Sequence, residues 1–182
     1  MAMNEILYSA LCACFGLSPS SDEASLLIRE AYQEPEPFQQ PPRNTDVIYY
    51  AAEPDPMVAE APPAYGTDTP AFAAHTPSVS DFSAWRLHIV CYGPGAADNA
   101  RKIRAFLYLD GAGFPRAILR KAGLYPVLSP PEPLVLHEPE GSLWRLRADL
   151  TIRLRMEEKQ DHPARRNAIS VSPAVRVVSD RF

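Results

Sequence analysis

Cysteine is scarce in this sequence, with three residues in 182 at Cys12, Cys14 and Cys91. That number and spacing cannot build a disulfide framework or a cysteine-based zinc site, so the fold has to rest on a hydrophobic core. The three thiols read as small apolar residues in a reducing compartment, with Cys12 and Cys14 on different faces of one helix. Histidine is almost as sparse, and His75, His88, His137 and His162 have no helical or strand partner at metal-ligand spacing. The best local cluster, His137 with Glu138 and Glu140, is bounded by prolines and reads as a solvated turn. No serine has a nucleophile-elbow context, no cysteine has a nearby histidine in a plausible loop, and paired carboxylates occur only in loops, so no catalytic, cofactor-binding or metal-binding residues are assigned. Long apolar runs are missing too. The run from Ile6 to Leu17 is about half a membrane span and follows Glu5 rather than a basic leader. Neither a targeting segment nor a transmembrane helix is expected, which implies synthesis in the cytoplasm.

Proline is abundant instead. Half of the 20 prolines fall between Pro35 and Pro77, in a stretch that is also acidic and poor in aliphatic residues. Such a segment cannot pack as a subdomain, and residues 53–79 are expected to form an extended arm. The rest divides into N-terminal helices at 1–34, a core of sheet and helices at 80–160 and a C-terminal edge segment at 161–182, all in one domain of 182 residues. The net charge of −4 hides an asymmetry. Residues 1–80 carry eleven acids against two bases, and residues 81–182 carry eleven acids against sixteen bases. A division of this kind suits a basic face for nucleic acid, or complementary faces that attract copies of the same chain. Arginine outnumbers lysine fifteen to three, which favours fixed bidentate contacts.

Periodicity places the elements. Ile6, Leu7, Ala10, Leu11, Cys14 and Phe15 repeat at helical spacing up to Gly16. Ser20 and Glu23 have capping-box spacing, and Ala24, Leu27, Ile28 and Ala31 predict a second helix from Ser21 to Tyr32. A strand is expected at Val47 to Ala51, and Met57 to Val79 shows no period. Phe82 and Ala84 to Tyr92 read as a strand with Trp85, Leu87, Ile89 and Cys91 on one face. The following helix buries Ala100, Ile103 and Leu107, pairs Asp98 with Lys102 and ends at Gly111. Pro115 opens a short helix through Lys121 that closes at Gly123. The tail NAISVSPAVRVV is suited to a last edge strand interrupted by Pro173.

The turn Gly93-Pro94-Gly95 between strand and helix has the outline of a phosphate cradle. A dinucleotide fingerprint needs a glycine three residues after the second, and that position is Asp98. A carboxylate in the first helical turn is stabilised by the helix dipole and takes the electrostatic place of a phosphate. The turn therefore reads as a structural joint.

The clearest pattern is SLWRLRADLTIRLRME. Trp144, Leu146, Ala148, Leu150, Ile152, Leu154 and Met156 alternate with Arg145, Arg147, Asp149, Thr151, Arg153 and Arg155. This is one long strand with one buried face and one basic face, long enough to bend or to project towards a neighbour. The basic face is the candidate interface: Arg145, Arg147, Arg153 and Arg155. Three readings remain open for it, namely an ordinary solvated strand face, contact with an acidic partner such as the acidic half of an adjacent copy, and contact with DNA phosphates.

The pairing of CYGPGAADNARKIRAF with GSLWRLRADLTIRLRME resembles the neck or tail terminator proteins of tailed bacteriophages, particularly the family found in contractile-tailed phages. YQEPEPF, residues 32–38, is similar to that family's proline-punctuated segment after the N-terminal helices. The resemblance covers most of residues 22–158, with the arm from Met57 to Val79 as its least comparable part, and implies a mixed sheet flanked by helices; together with the proline-rich arm, the expected fold is α+β with a mixed, mainly antiparallel sheet. It also implies a virion protein, assembled in the host cytoplasm, whose copies form a homo-oligomeric ring, commonly a hexamer, at the head-proximal end of the tail. Its partners would be the tail tube protein, the neck or connector proteins and in some tails the sheath. No small-molecule substrate, cofactor or membrane is implied, and DNA contact would be incidental. A head-completion or adaptor connector of the same neck region, or a DNA-binding module, is the alternative.

Overall fold

Three long strands carry the molecule: β2 (Val47–Pro54), β4 (Ser78–Tyr92) and β7 (Leu143–Asp161). The computed structural model describes residues 3–31, 41–55, 64–65, 78–108, 114–127 and 131–161. Around these strands lie α1 (Met3–Phe15), α2 (Asp22–Leu27), β1 (Ile28–Glu30), β3 (Ala64–Tyr65), α3 (Ala96–Tyr108), α4 (Phe114–Lys121), β5 (Leu124–Pro126) and β6 (Leu134–Glu140). The fold is α+β. The sheet runs β1-β2-β4-β7-β5, with β3 added to β4 and β6 to β7, and every pairing except β1 with β2 is antiparallel.

Alternation explains the layering. Ile48, Leu87, Ile89, Leu150 and Ile152 point to one face of the sheet, where they meet Leu7 and Leu11 of α1 and Ile103 and Leu107 of α3 in a single core. The register aligns these apolar positions in rows, such as Ala52, Leu87 and Ile152, because a period of two keeps one face apolar across all three strands. Between Ser78↔Asp161 and Tyr92↔Arg147, β4 and β7 pair without interruption. At 19 residues β7 is longer than the strand expected from Trp144 to Met156, and reaches about 60 Å at ~3.3 Å per residue.

The helices start and stop largely as their sequence signals require. After Phe15, Leu17 N–H donates to the Cys12 carbonyl at 3.0 Å and Gly16 N–H to that of Ala13 at 3.2 Å, a Schellman closure. α1 is covered on more than one side, so both Cys12 and Cys14 are buried. α4 begins at Phe114 with Pro115 in its first turn, and Gly123 follows its end.

Four expectations are corrected. The second helix has six residues rather than running to Tyr32, because Ile28–Glu30 leave it to pair in parallel with Ile48–Tyr50, which buries the β-branched Ile28. Its cap is Ser21, whose Oγ accepts from Ala24 N at 3.2 Å, so Ser20 and Glu23 form no capping box. Asp98 pairs with Arg101 at 3.1 Å instead of with Lys102, whose ammonium lies 4.7 Å from the centre of the Phe15 ring. Finally, His137, Glu138 and Glu140 lie in β6 and not in a turn. The turn is Gly141-Ser142, where Gly141 has φ +64° and supplies the left-handed position that a two-residue hairpin needs.

The arm assigned to residues 53–79 begins and ends in strands, since Glu53–Pro54 close β2 and Ser78–Val79 open β4. Between them Ala64–Tyr65 pair with Ser80 and Val79, and the remaining arm residues lie outside those described. The strand expected from the C-terminal tail, the end of the helix at Gly111 and the proline-punctuated segment at 32–38 lie outside them as well.

Candidate subunit interface

The sheet face away from the core carries every second residue of β2, β4 and β7, and cross-strand register groups them into rows. Glu53, Arg86 and Arg153 form one row, and Ala51, His88 and Thr151 the next. Glu53 Oε1 accepts from Arg86 Nη2 at 2.8 Å and lies 3.1 Å from His88 Nε2, while His88 Nδ1 meets Thr151 Oγ1 at 3.1 Å. Asp55, only 5% exposed, sits between Arg86 Nε at 3.7 Å and Arg153 Nε at 3.4 Å. A buried carboxylate is tolerated here because two guanidiniums face it.

A second cluster surrounds Tyr92. The Arg145 and Arg147 guanidiniums lie 4.7 and 5.8 Å from its ring centre, and Tyr49 meets it edge-on at 6.2 Å. Arg147 Nε donates to Asp149 at 2.7 Å, and its Nη1 is 3.5 Å from Glu138. Burial raises the Tyr92 pKa, an effect partly opposed by the Arg147 charge, while the hydrogen bond to Asp149 raises that of Arg147. Arg145 is 4% exposed and lies 4.0 Å from Glu140, which also binds Arg43 Nε at 2.8 Å.

The four arginines singled out by the alternation therefore occupy different environments. Arg145 is buried against Tyr92, Arg147 is half-buried among acids, Arg153 is exposed beside Asp55, and Arg155 is exposed with no ion pair among the described residues. On the same face Arg43, Arg86, Arg145, Arg147, Arg153 and Arg155 interleave with Glu53, Asp55, Glu138, Glu140 and Asp149. The charge of that face is thus largely balanced within one chain, and Arg155 is the arginine of the four with no ion pair among the described residues.

Sequence reasoning missed an apolar surface. The β6–β7 hairpin exposes Leu134, Val135, Leu136, Leu143 and Trp144, with Trp144 at 69% and Leu134 and Leu143 each at 59%. Trp144 was expected on the buried side. It does lie on the face that becomes core at Ala148, but nothing among the described residues covers it. The signal available was the LVL run facing GSLW across Gly141-Ser142, which the neighbouring prolines obscured.

In the Gly93-Pro94-Gly95 turn the anion position is filled, by a residue other than the one expected. Gly95 N–H donates to Asp46 Oδ1 at 2.9 Å, while Asp98 points outward to Arg101. The carboxylate of Asp46 occupies the place where a phosphate would bind. Among the described residues no group of three or more His, Cys, Asp or Glu is placed to hold a metal ion, and no helix is long and apolar enough to cross a membrane.

The buried thiols yield a pH dependence. Desolvation pushes the Cys14 and Cys91 thiols from 9.0 up to about 12. An unfolded chain ionises them near pH 9 and the fold only near 12, so their stabilisation is complete below pH 9 and declines as pH rises towards 12. The urea midpoint should fall over that window, with a flatter slope in Cys14→Ala/Cys91→Ala; an unchanged slope would remove the thiols as its cause.

No protein-family model matches this sequence, and no curated protein matches it.

Proposed function

We propose that this chain is a structural virion protein, a tail terminator whose copies close into a ring at the head-proximal end of a phage tail. The ring, expected to be hexameric, would stop tube polymerisation and join the tail to the neck, with the tube protein, the neck proteins and in some tails the sheath as partners. The resemblance in the strand-turn-helix and tryptophan-strand segments suggests the family. The observation that carries the reading is the exposed apolar hairpin at one end of a 19-residue strand. A monomer seldom leaves such a patch in water, whereas a subunit covers it with its neighbour. Patches at different places on one molecule make head-to-tail contacts, which close into rings when the rotation allows. The interleaved carboxylates on the open sheet face favour protein over DNA as the partner.

Electron microscopy of the purified protein tests this directly. Closed rings that cap isolated tail tubes are the expected result. Monomers that bind DNA with a steep salt dependence would overturn it in favour of a DNA-binding module. Within such a ring, Arg153→Glu/Arg155→Glu should convert the assembly to monomers in native mass spectrometry. Because Arg153 also supports Asp55, Arg155→Glu alone is the sharper variant, and a fully intact ring would eliminate the arginine contact.

A further inference from the structure

Among the described residues β6 pairs on one side only, with β7. The two-residue loop makes Glu140 and Leu143 a hydrogen-bonded pair, so by alternation Val135, His137 and Pro139 direct their backbone groups outward. Pro139 has no N–H to offer, but Val135 and His137 present both donor and acceptor. Leu134 and Leu136 flank this edge on one face and Val135 on the other, all exposed. An open, apolar strand edge is a template for another strand.

We propose that β6 accepts residues 167–178 of a second copy of this chain as an added strand. The segment has the required period of two, with Ile169 and Val171 alternating with Ser170 and Ser172, and Val175 and Val177 flanking Arg176. Residues 162–182 contain four arginines and one aspartate, but Glu138, Glu140 and Glu132 at the acceptor are already paired with arginines of their own chain, so backbone pairing rather than charge carries the contact. Reach decides that another molecule donates the first half of the segment, residues 167–172. β7 delivers the chain at Asp161, and β6 begins opposite Asp149, about 40 Å back along the strand at ~3.3 Å per residue. The eight residues from Asp161 to Ile169 span at most ~28 Å fully extended, and β5 already occupies the edge at Leu154–Met156. A donor leaving one end of β7 and an acceptor at the other make a head-to-tail contact between copies. The contact requires only a second copy of the chain, so it goes beyond the terminator reading and does not depend on it.

Cross-linking tests the contact in the full chain. One preparation carries His137→Cys, another Val171→Cys and a third Ile169→Cys; the native thiols are buried and do not compete. On oxidation of a mixture of edge and tail variants, a mixed disulfide dimer should hold most of the protein for at least one tail position. Ser170→Pro in the tail partner should cut its yield at least tenfold. Absence of a mixed disulfide at both positions, dimers formed only by His137→Cys with itself, or a bridge formed only within a single doubly substituted chain would each overturn the proposal. In the unmodified protein, amide exchange at Val135 and His137 should slow at least tenfold as concentration drives association; unchanged exchange in an associated sample would also overturn it. Rings without the cross-link would retain the terminator reading and remove this contact, whereas cross-links in a protein that ignores tube ends would do the reverse.

Discussion

Gly93→Ala is expected to cost about 4 kcal/mol of folding stability, a large share of what a domain of this size possesses. The residue has φ +107°, and an added Cβ would lie 2.6 Å from the Thr45 carbonyl oxygen and 2.8 Å from the Asp46 Cα, both backbone atoms that cannot rotate away. Gly95→Ala is the informative contrast. Its Cβ would overlap the Asp46 carboxylate and approach that residue's Cγ at 3.2 Å, so the conflict involves only the end of a side chain. Removing that side chain should recover about 1 kcal/mol of the Gly95→Ala loss as a coupling energy, while Asp46→Ala should recover little of the Gly93→Ala loss. Urea unfolding of the three single variants and of the two double variants with Asp46→Ala measures each quantity. A neutral Gly93→Ala would show that the turn does not need its glycine.

Leu143→Glu/Trp144→Glu should dissolve the proposed ring while leaving the subunit folded. Both side chains are more than half exposed, so the change in monomer stability should stay within about 0.5 kcal/mol. As central apolar anchors of an interface they are each worth about 2 kcal/mol, which together weakens association roughly a thousandfold. Analytical ultracentrifugation across a concentration series, paired with thermal unfolding, separates the two effects. Unaltered assembly would place the subunit contact elsewhere, and an unfolded chain would mean that the hairpin is part of the core.

Helices α1, α3 and α4 and the two longest strands were legible because their signals are local. A spacing of three and four residues marks α1 and α3, Pro115 and Gly123 bracket α4, and strict alternation marks β4 and β7. Among the described elements β1, β3, β5 and β6 were not legible, and two of them show why. β1 follows a helical pattern through Ile28 and becomes a strand only because β2, some twenty residues later, offers it a partner. β6 hides among prolines that ordinarily signal loops, and Pro139 is tolerated because its missing N–H would face away from β7, on an edge where no described strand pairs.

The candidate interface divides along the same line. The alternation in β7 determined, before any coordinates, that Arg145, Arg147, Arg153 and Arg155 share one face, and the glycines of the turn after β4 determined that a strand gives way there to a helix. Only the tertiary structure decided that Asp46, 49 residues from Gly95, fills that turn, that Arg145 is buried, and that Trp144 is exposed. The reason is physical. Periodicity tells which residues lie on the same side of an element, but burial and pairing depend on what the rest of the chain places above that side.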